Sequence, residues 1–299
     1  MTIPLADAVA AGAVVLDGGL ATQLESQGHN LDSALWSARL LHDNPEAIVQ
    51  AHLAYFTAGA QVATTASYQA SIAGFVQAGV SRPEAELLIK RSVRLAEQAR
   101  ARYDDGRTRW IAGSVGPYGA ALADGSEYRG GYDLSVDELR VWHRPRLALL
   151  AESGVDILAL ETIPCLAEVE ALLAEVDGSG QPCWLSVTCA GDRTRAGEPA
   201  AEAFSLARDV REIVAVGVNC IDPADAYPLV RSARESSGKP VVAYPNSGER
   251  WDASVRAWTG PVTFHSEEVQ DWISTGARLV GGCCRVGPTV ICAIRDLIG

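Results

Sequence analysis

The chain has 299 residues, 48% of them apolar and 21% charged, with a formal net charge of −12 at pH 7. That balance is ordinary for a globular protein, and the acidic excess argues against nucleic acid or an anionic membrane surface as the main partner. No apolar run is long enough to span a bilayer, and the chain opens without a basic segment ahead of a long apolar stretch, so its seven cysteines are expected as reduced thiols in the cytoplasm.

The first short apolar run is VVLDGG (14–19). A helix is predicted next, with Asn44 as cap, Pro45 in the first turn and Gly59 as stop. Runs QVATTASYQ (61–69) and WIAGSVGP (110–117) follow. SVDELRVWHRPRLALLAESG opens with a capping box, Ser135 with Glu138, and should end at Gly154 after a kink at Pro145. DILALETIP (156–164) precedes the amphipathic segment LAEVEALLAEV. Then come CWLSVTC (183–189), VAVGVNC (214–220), VVAYPNSG (241–248) and RLVGGCC (278–284), with the amphipathic PTVICAIRDLI at the end. These eight runs alternate poorly between polar and apolar, as strands buried on both faces do. Eight strand–helix units without a repeat or linker predict one α/β domain over 1–299, a single (β/α)8 barrel of the TIM type. An open doubly wound sheet, the runner-up, would carry a Gly-rich phosphate turn after its first strand, and LDGGLATQLE is not one. Two long loops, 118–134 and 246–264, are candidates to cover a site.

In such barrels the chemistry lies at the carboxyl ends of the strands. Those ends carry Asp17-Gly18-Gly19, Thr64, Thr65, Ser67 and Tyr68, Ser114, Glu161-Thr162, Ser186, Thr188 and Cys189, Asn219-Cys220, Asn246-Ser247, and Cys283-Cys284. Cys220, Cys283 and Cys284 thus meet on one face, and three protein ligands leave one corner of a tetrahedral zinc site open, the pattern of a catalytic metal. Gly281 and Gly282 are expected to let the last strand twist so that its two thiols converge. Cys165, Cys183 and Cys292 read as small buried hydrophobes, and Cys189 has no evident partner. A redox pair would show C-x-x-C spacing, and none of the five histidines ends a strand to complete a structural zinc site.

Three thiolates make zinc a poor activator of water but a good holder of an incoming thiol as thiolate, which points to alkyl transfer onto a thiol substrate. Asp17 and Glu161, at the mouth, can clamp an α-ammonium group. The amides of Gly18, Gly19 and Leu20 can form a nest for a carboxylate, and Asn219 beside Cys220 joins the candidate substrate contacts. An amino acid carrying a thiol satisfies all of these groups. The only lysines, Lys90 and Lys239, are badly placed for Schiff-base chemistry, and no nucleophile elbow is present.

LDGGLATQLE, TTASYQAS, GSVGPYGAALADGSEYRG, LALETIP, GVNC and GGCCRVGP together resemble the zinc-dependent homocysteine S-methyltransferases over essentially the whole chain. The resemblance implies a homocysteine-binding barrel with zinc on Cys220, Cys283 and Cys284, homocysteine held through its sulfur, and its amino group held by Asp17 and Glu161. The segment LADGSEYRG is most similar to the branch that uses S-methylmethionine, which implies methionine formed from a sulfonium donor, S-methylmethionine or else S-adenosylmethionine. Two alternatives stand beside it: the same acceptor with a betaine-type donor, and a non-catalytic zinc store or redox sensor, which would have no use for an ammonium clamp. Trp36, Tyr68, Tyr118 and Tyr128 lie near strand ends or in a candidate lid and are available to face a sulfonium.

Overall fold

The computed structural model describes residues 3–31, 36–252 and 257–299, with the side chains of 36–39 and 250–257 outside that description. All eight expected strands form, and all are parallel: β1 Val14–Val15, β2 Val62–Thr64, β3 Trp110–Val115, β4 Ile157–Ile163, β5 Cys183–Val187, β6 Ile213–Asn219, β7 Val241–Tyr244 and β8 Ala277–Val280. Each pairs with its neighbour in chain order, β8 pairs with β1 (Val15 opposite Val280), and a parallel bridge from Leu16 to Val62 joins β1 to β2. Helices surround this nearly closed (β/α)8 barrel.

The local signals act as expected. Asn44 Oδ1 accepts from Ala47 N at the start of helix Pro45–Ala58, and Gly59 ends it at φ 108°. Ser135 and Glu138 form the capping box of Val136–Glu152, which runs on through Pro145 and stops at Ser153, one residue before Gly154. Leu166–Val176 and Pro288–Ile298 are helices.

The barrel has two cores. One lies between strands and outer helices. The other fills the interior with Val14, Leu16, Val62, Trp110, Ala112, Ile157, Ala159, Trp184, Ala215, Val242 and Leu279. Helix Leu5–Ala11 adds Leu5 and Val9 to this interior, and Trp110 Nε1 donates to the Ile3 carbonyl at 2.9 Å. The amino-terminal end of the barrel is therefore plugged, an element the sequence reading did not include. Along the strands, inward positions alternate by two, and they change character towards the carboxyl end: Ala112 gives way to Ser114, Ala159 to Glu161, Trp184 to Ser186, and Val242 to Tyr244. The barrel is apolar below and hydroxylic and acidic above.

The two long loops carry structure of their own. The first holds helix Tyr118–Leu122 and a 3-10 turn at Ser126–Tyr128. Its start is anchored where buried Glu168 Oε1 accepts from Tyr118 N and from His143 Nε2 (2.8 Å), while His143 Nδ1 accepts from Arg146 (3.0 Å). The second holds an antiparallel pair, Arg250–Asp252 with Ala257–Thr259, and its residues 253–256 lie outside the described residues. The side chain of Trp36 is also outside them.

Candidate active site

β6 and β8 deliver three thiols to one point. The Sγ atoms of Cys220, Cys283 and Cys284 all lie within 4.8 Å of one another, and Cys220 and Cys284 are 3.6 Å apart. Cys220 is the residue after β6 and has φ 55°. This left-handed turn bends the chain, and Thr188 Oγ1 donates to the Cys220 carbonyl at 3.2 Å.

The adjacent thiols converge by a different device from the one expected. β8 ends at Val280, and neither Gly281 nor Gly282 adopts a positive φ. Cys283 and Cys284 sit in a tight turn closed by Val286 N donating to the Cys283 carbonyl (3.1 Å), with Arg285 at φ 65° as the third residue of a type II turn demands. The two glycines serve close approach instead. A methyl on Gly281 would lie 2.7 Å from the Asp17 carbonyl oxygen, and one on Gly282 would lie 2.0 Å from Val286 Cγ1. Asn246 Oδ1 accepts from Cys284 N at 3.1 Å and pins the turn to the end of β7.

Proton sharing polarises the cluster. Hydrogen bonds from Cys283 and then Cys284 hold Cys220 well below the usual thiol range, against its burial. The same sharing raises Cys283 and Cys284 well above it. The Tyr128 hydroxyl reaches Cys220 Sγ at 3.5 Å from the first loop, and the Arg195 guanidinium lies 5.9 Å from the Tyr128 ring centroid. Tyr118 packs edge-on against Tyr132 and Trp142, both at 5.2 Å, so its ring stiffens the loop.

Two carboxylates lie beside the thiols. Asp17 Oδ2 accepts from Thr64 N (2.7 Å) and Oδ1 from Thr64 Oγ1 (2.9 Å). Glu161 accepts from Ser114 Oγ and, at 2.9 Å, from Tyr244 OH, which also meets Ser186 Oγ at 2.7 Å. Asp17 is 5% exposed and Glu161 7%, and the salt bridges among the described residues include neither. Burial pushes both up to about 7, in each case against the hydrogen bonds they accept.

Asn219 occupies the same rim with its side chain turned to Thr162. Its Oδ1 accepts from Thr162 N and its Nδ2 donates to Thr162 Oγ1, both at 2.7 Å. Thr162, at φ 61° within the register shift between Leu160 and Ile163 of β4, is thereby held in a conformation that β-branched residues rarely adopt, and Glu161 lies in the same shift.

The anion nest expected over residues 18–20 is not intact. Gly19 N already donates to the Val286 carbonyl (3.0 Å), because Tyr55 OH ties both segments together by donating to the carbonyls of Gly19 (2.8 Å) and Val286 (3.1 Å). Gly18 lets that tie close, since a methyl there would lie 2.3 Å from the Val286 carbonyl oxygen.

Thr64, Ser114, Ser186 and Tyr244 complete the geometry. Thr64, Ser114 and Ser186 were among the expected strand ends; Tyr244 was not, and period-two counting from Val242 would have singled it out. The hollows lined by Arg100, Arg107 and Asp156 and by Val9, Pro240 and Arg278 open at the other end of the barrel, away from these groups.

Comparisons with known proteins show the family of this chain. The family model described as homocysteine S-methyltransferase matches residues 14–298. The homocysteine S-methyltransferase YbgG of Bacillus subtilis (strain 168) is 43% identical over 286 residues, covering 92% of this chain and 91% of that protein. The homocysteine S-methyltransferase of Escherichia coli (strain K12) is 42% identical over 295 residues, 94% of each. The crystal structure of the homocysteine methyltransferase MmuM from Escherichia coli in its metallated form superposes with TM-score 0.86 at 40% identity, covering 96% of both chains.

The carboxylate pair makes a stability prediction. A raised carboxyl binds its proton more tightly folded than unfolded, so its contribution is full below the ordinary values of 3.8 and 4.5 and is lost as pH rises through about 7. In Asp17→Asn and Glu161→Gln the facing hydroxyls of Thr64, Ser114 and Tyr244 can turn to accept from the new amides. Thermal unfolding of the ligand-free protein should therefore show the double variant melting above the parent at pH 8, with the gap closing towards pH 4.

Proposed function

The chain belongs to the homocysteine S-methyltransferase family, and on that footing we propose that it moves a methyl group from S-methylmethionine, or else S-adenosylmethionine, to the thiol of homocysteine, with zinc held by Cys220, Cys283 and Cys284. One arrangement carries this reading: three thiols within 4.8 Å of one another beside two buried carboxylates that lack an ion pair among the described residues.

The donor set fits zinc. Thiolates suit it, three of them leave a fourth position free, and the 3.6 Å between Cys220 and Cys284 is close to the ~3.8 Å that two thiolates 2.3 Å from one tetrahedral ion would keep. The metallated form of the Escherichia coli relative supports a metal here. When bound, zinc would supply the Lewis acidity that keeps a substrate thiol ionised near neutral pH.

The chain's own groups do the rest. Asp17 and Glu161 share the homocysteine ammonium, whose positive charge offsets part of the solvation that burial removed from the pair. Thr64, Ser114 and Tyr244 fix the carboxylates in place, so the amino end of the substrate is oriented before its sulfur meets the donor. The loop bearing Tyr128 covers the thiols and limits water. A lone pair on the homocysteine sulfur forms the new carbon–sulfur bond. The donor's methyl–sulfur bond breaks, and its electron pair stays on the departing sulfur as a neutral thioether. The step joins a thiolate to a sulfonium and discharges both, so a dry pocket favours it and no general acid is needed.

Cys283→Ser should lose metal by elemental analysis and lose turnover together, and full zinc with full activity in that variant would remove Cys283 from the ligand set.

Asp17→Asn should keep its metal but bind homocysteine about 10- to 150-fold more weakly by calorimetry, the range for losing a charge-assisted contact. Unchanged affinity in both Asp17→Asn and Glu161→Gln would sink the ammonium clamp.

With a panel of donors, S-methylmethionine should turn over fastest and give intersecting initial-rate lines against homocysteine. Faster turnover with betaine would move the assignment to a betaine-type donor, and parallel lines would refute direct transfer.

A further inference from the structure

The first loop brings a third acidic side chain to the thiols, and its charge is not used by anything described so far. Glu127, in the 3-10 turn Ser126–Tyr128, is 9% exposed, and its Oε2 is buried without a hydrogen-bond partner. The arginine on its own segment, Arg129, hydrogen-bonds Ser126 Oγ at 3.1 Å and pairs with Asp124 at 3.6 Å, and it reaches Glu127 only through its charge. The next residue in the chain, Tyr128, touches Cys220. From the end of β2, Tyr68 brings a second buried polar atom, its hydroxyl, that is also without a hydrogen-bond partner. Thr162 lies beside that hydroxyl, and Cys220, Glu127 and Glu161 act on it through their charge.

An orphaned carboxylate oxygen and an orphaned phenol beside the same thiol are costly to bury, and such groups ordinarily find partners. Asp17 and Glu161, reached from β1 and β4, are the pair assigned above to the acceptor. Glu127 comes from the loop after β3, whose next residue, Tyr128, reaches Cys220. A cation with hydrogens to donate would satisfy both orphaned atoms, its charge facing Glu127 and a hydrogen bond reaching the Tyr68 hydroxyl.

We propose that Glu127, with the Tyr68 hydroxyl, binds the α-ammonium group of the methyl donor, so that donor and acceptor are each gripped by a separate carboxylate subsite beside the thiols. This rests on the reading that the donor is an amino-acid sulfonium. It makes Glu127 a specificity residue: it favours donors that carry an ammonium over sulfonium or betaine donors that lack one.

The test uses metal-loaded protein saturated with 2-aminobutyrate, an acceptor analogue without the thiol, so that binding is read with no turnover. S-Methylmethionine and dimethylsulfoniopropionate, which lacks the ammonium, are titrated by calorimetry into the parent and into Glu127→Gln. The expected result is a loss of about tenfold or more in S-methylmethionine affinity, an unchanged affinity for dimethylsulfoniopropionate, an unchanged homocysteine affinity, and a melting temperature no lower than the parent's. Equal affinity for S-methylmethionine in parent and variant overturns the inference and leaves the methyltransferase reading standing. So does an equal loss for both sulfonium compounds, which would place Glu127 at the sulfonium rather than the ammonium. A parent that binds no S-methylmethionine overturns the choice of donor itself, and the inference with it.

Discussion

Two carboxylates buried without a cation are the constraint around which the mouth of this barrel is built. Removing Asp17 and Glu161 from water drives both up to about 7, and the protein offers them hydroxyls and one backbone amide rather than a guanidinium or ammonium. An internal Arg or Lys would have relieved the desolvation and closed the site to a substrate cation. Hydroxyls hold the carboxylates in place without cancelling them. The ligand-free state is left less stable than it could be, and the missing countercharge is the feature a substrate ammonium can supply.

Backbone strain concentrates on the same rim. Among the described residues, positive φ outside glycine occurs at Ala123, Thr162, Cys220 and Arg285, and each lies in the loop over the thiols, in the Glu161 bulge, or at a thiol-bearing turn. Strain of this kind persists only where surrounding contacts enforce it. Asn219 enforces it at Thr162 with two hydrogen bonds, Thr188 holds the Cys220 carbonyl, and Thr22 Oγ1 accepts from Arg285 N at 2.9 Å. Parallel strands alone would present their last side chains on diverging sides. Bent ends let non-adjacent strands aim thiols and carboxylates at one volume. The stiff lower barrel, plugged by Leu5 and Val9 and packed around Trp110 and Trp184, is what the bends push against.

Much of this is legible in the amino-acid sequence. Strands buried on both faces write themselves as continuous apolar runs, so all eight were found, and the caps at Asn44 and Ser135 announced their helices. The three thiols and two carboxylates could be read off as strand ends. What the sequence did not reveal depends on chain segments meeting from far apart. The tie from Tyr55 to Gly19 and Val286 spans 231 positions at its longer arm, and it takes the amide that an anion nest would need. Gly281 and Gly282 were legible as special but for the wrong reason, because close packing against Leu16, Asp17 and Val286 leaves no local mark on the chain. The amino-terminal plug was missed because a short helix carries few periodic positions.

The electrostatics of the rim also bear on the direction of the chemistry. On the proposed reading, the acceptor sulfur enters as an anion and the donor sulfur as a cation, and both leave neutral. A pocket lined by uncompensated acids would hold an isolated thiolate poorly, since like charges raise one another in a medium of low dielectric. The substrates themselves remove that difficulty. On that reading the acceptor ammonium answers the Asp17–Glu161 pair and the donor ammonium answers Glu127, so the net negative charge of the rim is lowest when both substrates are bound. Repulsion of the thiolate is then least when the sulfonium is also in place. On that reading, acid groups left unpaired in the empty protein favour simultaneous occupancy by two amino acids without any movement of the barrel that holds them.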